Sequence, residues 1–189
     1  MKKKLSLAFI ALLSANVTPA IAENQWYIGA AHTNQSISIH GRDFNSLGVL
    51  AGYNFNSYFS IETRLAAGTS GYKSYYDNEI RDQRYSEDID SQHALTFKAS
   101  YPIVDSLSVY GLLGYTRTKL KIKGQAAIND EMNNIVGYTP FKLSHSDGGL
   151  SYGIGVNYKF SDQFSIFVDY QTLPDFEPRS NVSKNWKST

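Results

Sequence analysis

The chain contains 189 residues, with 18 lysines and arginines against 17 aspartates and glutamates, and it has no cysteine. The missing cysteine excludes a disulfide framework, a thiolate zinc site and a cysteine nucleophile, and the balanced charge gives no long-range attraction to nucleic acid. No apolar run after the N-terminus is long enough for a membrane helix, yet Phe, Trp and Tyr make up 14% of the residues, as in strands that face lipid on one side.

The first 22 residues form a predicted export signal. Lysines at positions 2–4 precede an apolar core over residues 5–15, and small residues at positions 20–22 have the spacing of a cleavage site. A transmembrane anchor is the alternative, but it needs about 20 apolar residues. This run is shorter, and Asn16 and Pro19 follow it. We therefore expect cleavage before Glu23 and a single domain over residues 23–189.

From Trp26 onwards apolar and polar residues alternate, and this period of two predicts β-strands. In residues 150–160 every even-numbered side chain is apolar, whereas the odd-numbered ones are Ser, Gly, Asn and Lys. Leu50 and Phe167 depart from the alternation, and the facing of residues 107–118 stays open because both sides are apolar. Seven strands of about ten residues, the length that crosses a bilayer at a tilt, are predicted: residues 26–33, 47–55, 59–69, 92–101, 107–118, 150–160 and 164–172.

The connections between these strands alternate in length. Residues 56–57, 102–106 and 161–162 are short turns, whereas residues 34–45, 71–91 and 119–147 are long and polar, and a fourth long connection begins near Pro174. Outer-membrane barrels have short periplasmic turns and long extracellular loops. We therefore expect the N-terminus and the short turns on the periplasmic side.

Aromatic residues crowd the short-turn end, where amphipathic rings favour the membrane interface. A soluble β-sandwich is the alternative, but its solvent face would carry many charges, and here the opposing face is rich in Gly, Ser and Ala. The predicted periplasmic girdle consists of Phe55, Tyr58, Phe59, Tyr101, Phe160 and Phe164.

Seven strands cannot close a membrane barrel, which needs an even number and no free edge in lipid. Residues 183–189 resemble the beginning of an eighth strand. We therefore expect an all-β, up-and-down antiparallel transmembrane barrel of eight strands, with a sequence truncated by about ten residues, one strand length.

Three stretches carry a resemblance to a known family: residues 26–30 (WYIGA), 109–115 (VYGLLGY) and 150–156 (LSYGIGV). They resemble strands of the small eight-stranded outer-membrane barrels, namely the OmpA-like transmembrane domain and the OmpX/Ail group. The resemblance implies a surface protein of Gram-negative bacteria, and for the OmpX/Ail group adhesion or serum resistance. The chain departs from the family in lacking a final strand that ends in an aromatic residue, which the family uses for recognition by its assembly machinery.

Four charged residues fall on the inward faces by alternation: Glu62, Arg64, Lys98 and Asp169. The interior of an eight-stranded barrel is just wide enough to be filled by side chains, and charges there must pair because an isolated buried charge is very costly. We expect a neutral network that plugs the lumen. A gated ion path along the same charges is the alternative.

Candidate catalytic and metal-binding residues do not form a specific pattern. In His145-Ser146-Asp147 adjacent residues would point to opposite faces of a strand, and the spacing does not match the lipid A deacylase pattern. The acidic residues between Asp77 and Asp90 lack the spacing of an EF-hand loop. We therefore expect no enzyme activity, no cofactor and no metal.

These observations predict a monomeric, non-enzymatic surface protein in the outer membrane. Its partners would be outer-membrane lipid and lipopolysaccharide, the outer-membrane assembly machinery, and a host or phage surface that contacts the loops, but not nucleic acid. A narrow porin for small solutes is the alternative.

Overall fold

The computed structural model describes residues 14–15, 25–37, 42–78, 81–132, 134–174 and 186–188. No helix in these ranges is long and apolar enough to span a membrane. Every regular element in them is a β-strand, and all strand pairs are antiparallel. In chain order the strands are β1 (Ser14–Ala15), β2 (Trp26–Ile37), β3 (Asp43–Asn54), β4 (Phe59–Ser70), β5 (Tyr72–Asn78), β6 (Arg81–Val104), β7 (Leu107–Asn129), β8 (Ile135–Lys159), β9 (Phe164–Leu173) and β10 (Trp186–Ser188).

The strands are arranged in the sheet in chain order, from β2 through β3, β4, β6, β7 and β8 to β9, while β5 lies off this series and pairs with the outer part of β6. Side chains hold the short turns. The Asn56 Oδ1 atom accepts hydrogen bonds from the backbone N–H groups of Tyr58 (2.8 Å) and Phe59 (2.9 Å). Likewise, the Ser161 hydroxyl oxygen accepts one from Phe164 (3.1 Å). Asn and Ser favour turns because their side chains bond to the backbone two or three residues on.

Two short segments lie between β2 and β9. At the outer end, β10 pairs with both strands, and Trp186 is opposite Ile37 on one side and Leu173 on the other. At the short-turn end, Ala15 of β1 also pairs with both strands. The series of pairings therefore leads from β2 through β3, β4, β6, β7, β8 and β9 to β10 and back to β2. Residues 183–185, the start of the predicted eighth strand, lie outside the described residues.

Two connections predicted as long loops are mainly strands. Residues 71–91 contain β5 and the outer part of β6, and residues 119–147 contain the outer parts of β7 and β8, which pair with each other. The connection predicted over residues 34–45 is also shorter, because β2 continues to Ile37 and β3 starts at Asp43. Where both faces of a hairpin meet water, the apolar alternation that marks a half-buried strand fades.

The faces of the sheet follow the alternation in sequence. Leu150 is 73% exposed and Ile154 is 70% exposed, whereas Ser151 between them is 1% exposed. On β7, whose facing the sequence left open, Tyr110 and Leu112 are buried, while Leu113 points outward. Such a band of large exposed apolar side chains suits lipid rather than water.

Candidate functional site

The structure brings the four predicted inward charges into the barrel interior. Glu62 of β4 is 2% exposed, and its Oε1 atom lies 2.5 Å from the Arg64 Nε atom. The two Nη atoms of Arg64 donate to the carboxylate of Asp169 on β9, at 2.8 Å and 3.3 Å. Arg64 therefore bridges two carboxylates from opposite sides of the lumen, and the bond to Asp169 is bidentate, the strongest geometry for such a pair.

Two tyrosines and a lysine complete this charged layer. The Tyr27 hydroxyl donates to Glu62 Oε2 (2.9 Å), and the Tyr110 hydroxyl donates to Asp169 Oδ2 (3.1 Å). The Lys98 Nζ atom lies 4.1 Å from the centre of the Tyr110 ring and 5.7 Å from that of Tyr27. Lys98 thus lies between two aromatic rings, where a cation is attracted to their faces.

Sequence reasoning missed the two tyrosines. Tyr27 lies between the outward residues Trp26 and Ile28, so the alternation of side chains could have placed it on the inward face. Tyr110 lies in the strand that is apolar on both faces, where the alternation gives no such indication. Glycines on neighbouring strands make room for both rings: a Cβ atom on Gly52 would overlap the Tyr27 ring, and one on Gly155 would overlap the Tyr110 ring. Small residues beside the rings let them lie across the lumen.

A layer of uncharged polar side chains lies on the outer side of the charges. The Gln35 amide donates to Gln92 (3.0 Å), which donates to Thr118 (2.8 Å), and the Thr116 and Ser151 hydroxyls lie 2.8 Å apart. A cavity of about 40 Å³ adjoins this layer, and its lining includes Arg64, Gln92, Thr116, Gln171 and Leu173. Since a water needs roughly 10–15 Å³ of such volume, the cavity has room for three or four waters.

An apolar layer follows, formed by Phe44, Ile89, Leu120 and Leu173, each at most 5% exposed. The order is visible along β9, whose inward residues run from Asp169 through Gln171 to Leu173. None of these four was predicted as a site residue. They come from four different strands, and only the pairing of the strands brings them together.

Polar residues lie above the apolar layer, at the outer mouth. Arg42 forms an ion pair with Glu87 (3.1 Å), and its guanidinium lies 5.2 Å from the centre of the Tyr72 ring. The Tyr85 hydroxyl also donates to Glu87. Burial, followed by this carboxylate, raises the pKa of Tyr85 to about 12.

The six residues of the predicted girdle all lie at the short-turn end with exposed side chains: Phe55, Tyr58, Phe59, Tyr101, Phe160 and Phe164. Two aromatic residues that the prediction omitted extend the group, since the Trp26 and Tyr53 rings lie edge to face, 4.9 Å apart.

The His145-Ser146-Asp147 segment is not arranged as a catalytic triad. Ser146 is exposed on the outward face of β8, and its hydroxyl accepts a hydrogen bond from Arg117 Nε (3.0 Å). By alternation, His145 and Asp147 project to the opposite face. Within the residues that the structure describes, no three His, Asp or Glu side chains are grouped so that they could hold a metal ion.

Comparison with known proteins identifies the family. The model of the outer membrane protein beta-barrel domain matches residues 5–187. The chain belongs to this family. It is therefore an outer-membrane β-barrel, with its short turns in the periplasm, its hairpins outside the cell and its exposed apolar band in contact with lipid.

Two solved structures of one protein are similar to this chain. The crystal structure of Ail, the attachment invasion locus protein of Yersinia pestis, has 16% identity and a TM-score of 0.46 over 94% of this chain and 93% of that chain. The same protein in complex with the heparin analogue sucrose octasulfate has 15% identity and a TM-score of 0.50 over 95% and 94%. No curated protein matches the chain.

Proposed function

We propose that this outer-membrane barrel is a non-enzymatic and non-conducting surface protein, whose extracellular hairpins contact surfaces outside the cell. The observation that supports the proposal is the succession of three layers of inward side chains, which are charged, polar and apolar in turn. A lumen closed by these layers leaves the hairpins as the part available for contacts. The partners proposed for it are lipopolysaccharide and outer-membrane lipid around the barrel, the assembly machinery during insertion, and a host or phage surface at the hairpins.

The layers oppose ion flow for two different reasons. In the charged layer Glu62 and Asp169 balance Arg64 and Lys98, so an entering ion meets groups that already have partners. In the apolar layer an ion would lose its hydration without receiving new ligands, which is how hydrophobic constrictions block channels. The narrow-porin alternative would need both layers to open.

The outer hairpins are long enough to reach well beyond the bilayer. β7 and β8 contain 23 and 25 residues, whereas a tilted strand needs about ten to cross. Adhesion follows from this protrusion and from the exposed Tyr75, which stacks with Arg84 (5.5 Å), because tyrosine and arginine anchor many interfaces. Ail, named for attachment and invasion, is a barrel of the same fold.

Single-channel recording on the full chain, refolded and inserted into planar bilayers, tests the proposal. We expect no discrete conductance steps, while a 16-stranded porin added to the same bilayer provides the positive control. Heat-modifiable migration on a gel verifies that the inserted protein is folded. Reproducible steps from folded protein would refute the filled lumen and favour the porin.

A further inference from the structure

The apolar layer separates the lumen cavity from the outer mouth of the barrel. On its inner side the cavity beside the polar side chains has room for water. On its outer side lies Arg42, whose side chain is 27% exposed. Strands β3, β6, β7 and β9 contribute one residue each to the layer. A single layer of side chains therefore lies between the cavity and the mouth.

Three of the four residues in the apolar layer lie where strand pairing is irregular or ends. The register of β3 against β4 shifts one residue beyond Phe44, the register of β6 against β7 shifts directly after Ile89, and β9 ends at Leu173. The charged layer differs, because its four residues lie in stretches of regular pairing. A register shift interrupts the ladder of backbone hydrogen bonds, so the backbone breaks fewer bonds when it moves at the apolar layer than at the charged layer.

An ion pair at the mouth joins two of these irregular segments. Arg42 lies two residues before Phe44 and Glu87 lies two residues before Ile89, so each charged residue shares a face with a residue of the apolar layer. The Arg42 Nη1 atom is 3.1 Å from the Glu87 Oε1 atom. The Arg42 guanidinium also lies over the ring of Tyr72, which packs against the apolar layer. The ion pair thus holds β6 to the start of β3 directly above the layer.

Loss of the ion pair would draw the two segments apart. The Glu87 side chain is 7% exposed, and a carboxylate left in such surroundings without its cation pays the cost of leaving water. It regains water when the outer part of β6 moves toward the solvent, and Ile89 then moves with it. The Tyr85 hydroxyl, which also donates to Glu87, supplies a hydrogen bond but no charge. Release of the pair is therefore coupled to displacement of a residue in the apolar layer.

We propose that the Arg42–Glu87 ion pair is a latch that keeps the apolar layer closed over the lumen cavity, and that its release admits small water-soluble molecules from outside the cell. The inference rests on the closed lumen of the proposed function and goes beyond it, because it assigns closure of the outer end to one ion pair. The charged layer stays closed when the latch opens, since Arg64 keeps both of its carboxylates. The open state is therefore a pocket that faces the exterior and not a channel through the barrel.

Cysteine labelling on intact cells tests the latch. The chain has no cysteine, and Thr116, which lines the cavity and is 1% exposed, can be replaced by cysteine, a residue of similar size. A membrane-impermeant methanethiosulfonate reagent is added outside the cells, and intact-mass measurement gives the labelling rate. Arg42→Gln should raise the rate about tenfold or more, since removing one partner of a mostly buried pair costs the closed state at least the roughly 1.4 kcal/mol that a tenfold change requires.

Two further variants separate the latch from a general loss of structure. Lys119→Gln removes a cation from the outward face, where it pairs with Asp90 (2.9 Å), and should leave the labelling rate unchanged. The reversed pair Arg42→Glu/Glu87→Arg keeps opposite charges together and should return the rate toward that of the intact latch. Heat-modifiable migration verifies that each variant is folded.

Three results would overturn the proposal. A folded Arg42→Gln variant that is labelled no faster than the protein with the intact pair would show that the pair does not hold the layer closed. Rapid labelling with the pair intact would show that the layer is open without release. Equally fast labelling of the single and the reversed variants would show that the attraction between the charges is not the cause. If Thr116→Cys does not fold, Ala94→Cys reports on the same cavity.

The latch and the closed lumen can fail separately. Conductance steps from the wild type would refute the closed lumen. Equal labelling with and without Arg42, in a protein that shows no steps, would refute the latch alone.

Discussion

Arg64 is the residue on which the charged layer depends. Its guanidinium bonds to both Glu62 and Asp169, which come from strands far apart in sequence, and none of the three is more than 16% exposed. A buried carboxylate without its partner pays the full cost of leaving water. The effect of removing Arg64 should therefore exceed that of removing all four charges of the layer together.

We expect Arg64→Met to lower the free energy of unfolding by about 3–5 kcal/mol, the usual cost of breaking a buried ion pair. The quadruple variant Glu62→Gln/Arg64→Met/Lys98→Met/Asp169→Asn, in which no charge loses its partner, should recover much of this loss. Urea titration in phospholipid vesicles, followed by heat-modifiable migration, measures both. A single variant as stable as the wild type would show that the ion pairs do not stabilise the barrel.

The alternation of side chains along each strand is enough to place four charged residues on the inward face, where the structure has them: Glu62, Arg64, Lys98 and Asp169. The alternation could not assign Tyr110 to a face, because apolar residues occur on both faces of the strand over residues 107–118. Nor could it reveal the bonds of Arg64, since these depend on which strands meet across the barrel. The face of the sheet on which a residue lies follows from its position in the strand, whereas its hydrogen-bond partner depends on the pairing of all the strands.

The hairpins show a similar limit at the level of elements. Residues 119–123 alternate between lysine and an apolar residue, yet the polar stretch that follows made the whole segment resemble a loop. In the structure Leu120 is buried in the apolar layer and Lys119 is exposed on the opposite face, so the alternation is that of a strand. Strand prediction from an apolar face weakens where the apolar layer is only one residue deep.

If the hairpins make the surface contacts, shortening the β7–β8 hairpin should abolish adhesion without unfolding the barrel. Leu120 and His145 are directly opposite in register, so residues 121–144 can be replaced by Asn-Gly, which favours a two-residue turn. Cells of a non-adherent Gram-negative strain that produce the full protein should attach to epithelial monolayers, and cells that produce the shortened protein should not. A matched variant shortened in β5–β6 would show whether the effect is specific. Unchanged attachment by the β7–β8 variant would assign adhesion elsewhere.

For the molecule as a whole, the critical region is the position between β2 and β9. In the described residues it is occupied by β10 at the outer end and by β1 at the periplasmic end. β1 lies inside the predicted export signal, so cleavage before Glu23 would remove it. Unpaired backbone groups in lipid cost several kcal/mol each. Removal of β1 would take away its pairing with β2 and β9 at the periplasmic end, whereas the pairing of β10 with both strands at the outer end would remain.

We predict that protein purified from outer membranes begins at Glu23 and lacks β1. Among the described residues before Glu23, only Ser14 and Ala15 pair with the barrel, whereas β2 pairs with β3 along nearly its whole length. Intact-mass measurement determines the N-terminus. Ala20→Arg and Ala22→Arg should block cleavage, since the peptidase requires small residues there, and precursor should accumulate, while Gln25→Arg, just beyond the site, should be processed normally. Recovery of folded outer-membrane protein that retains Ser14 and Ala15 would instead make β1 a permanent part of the barrel wall.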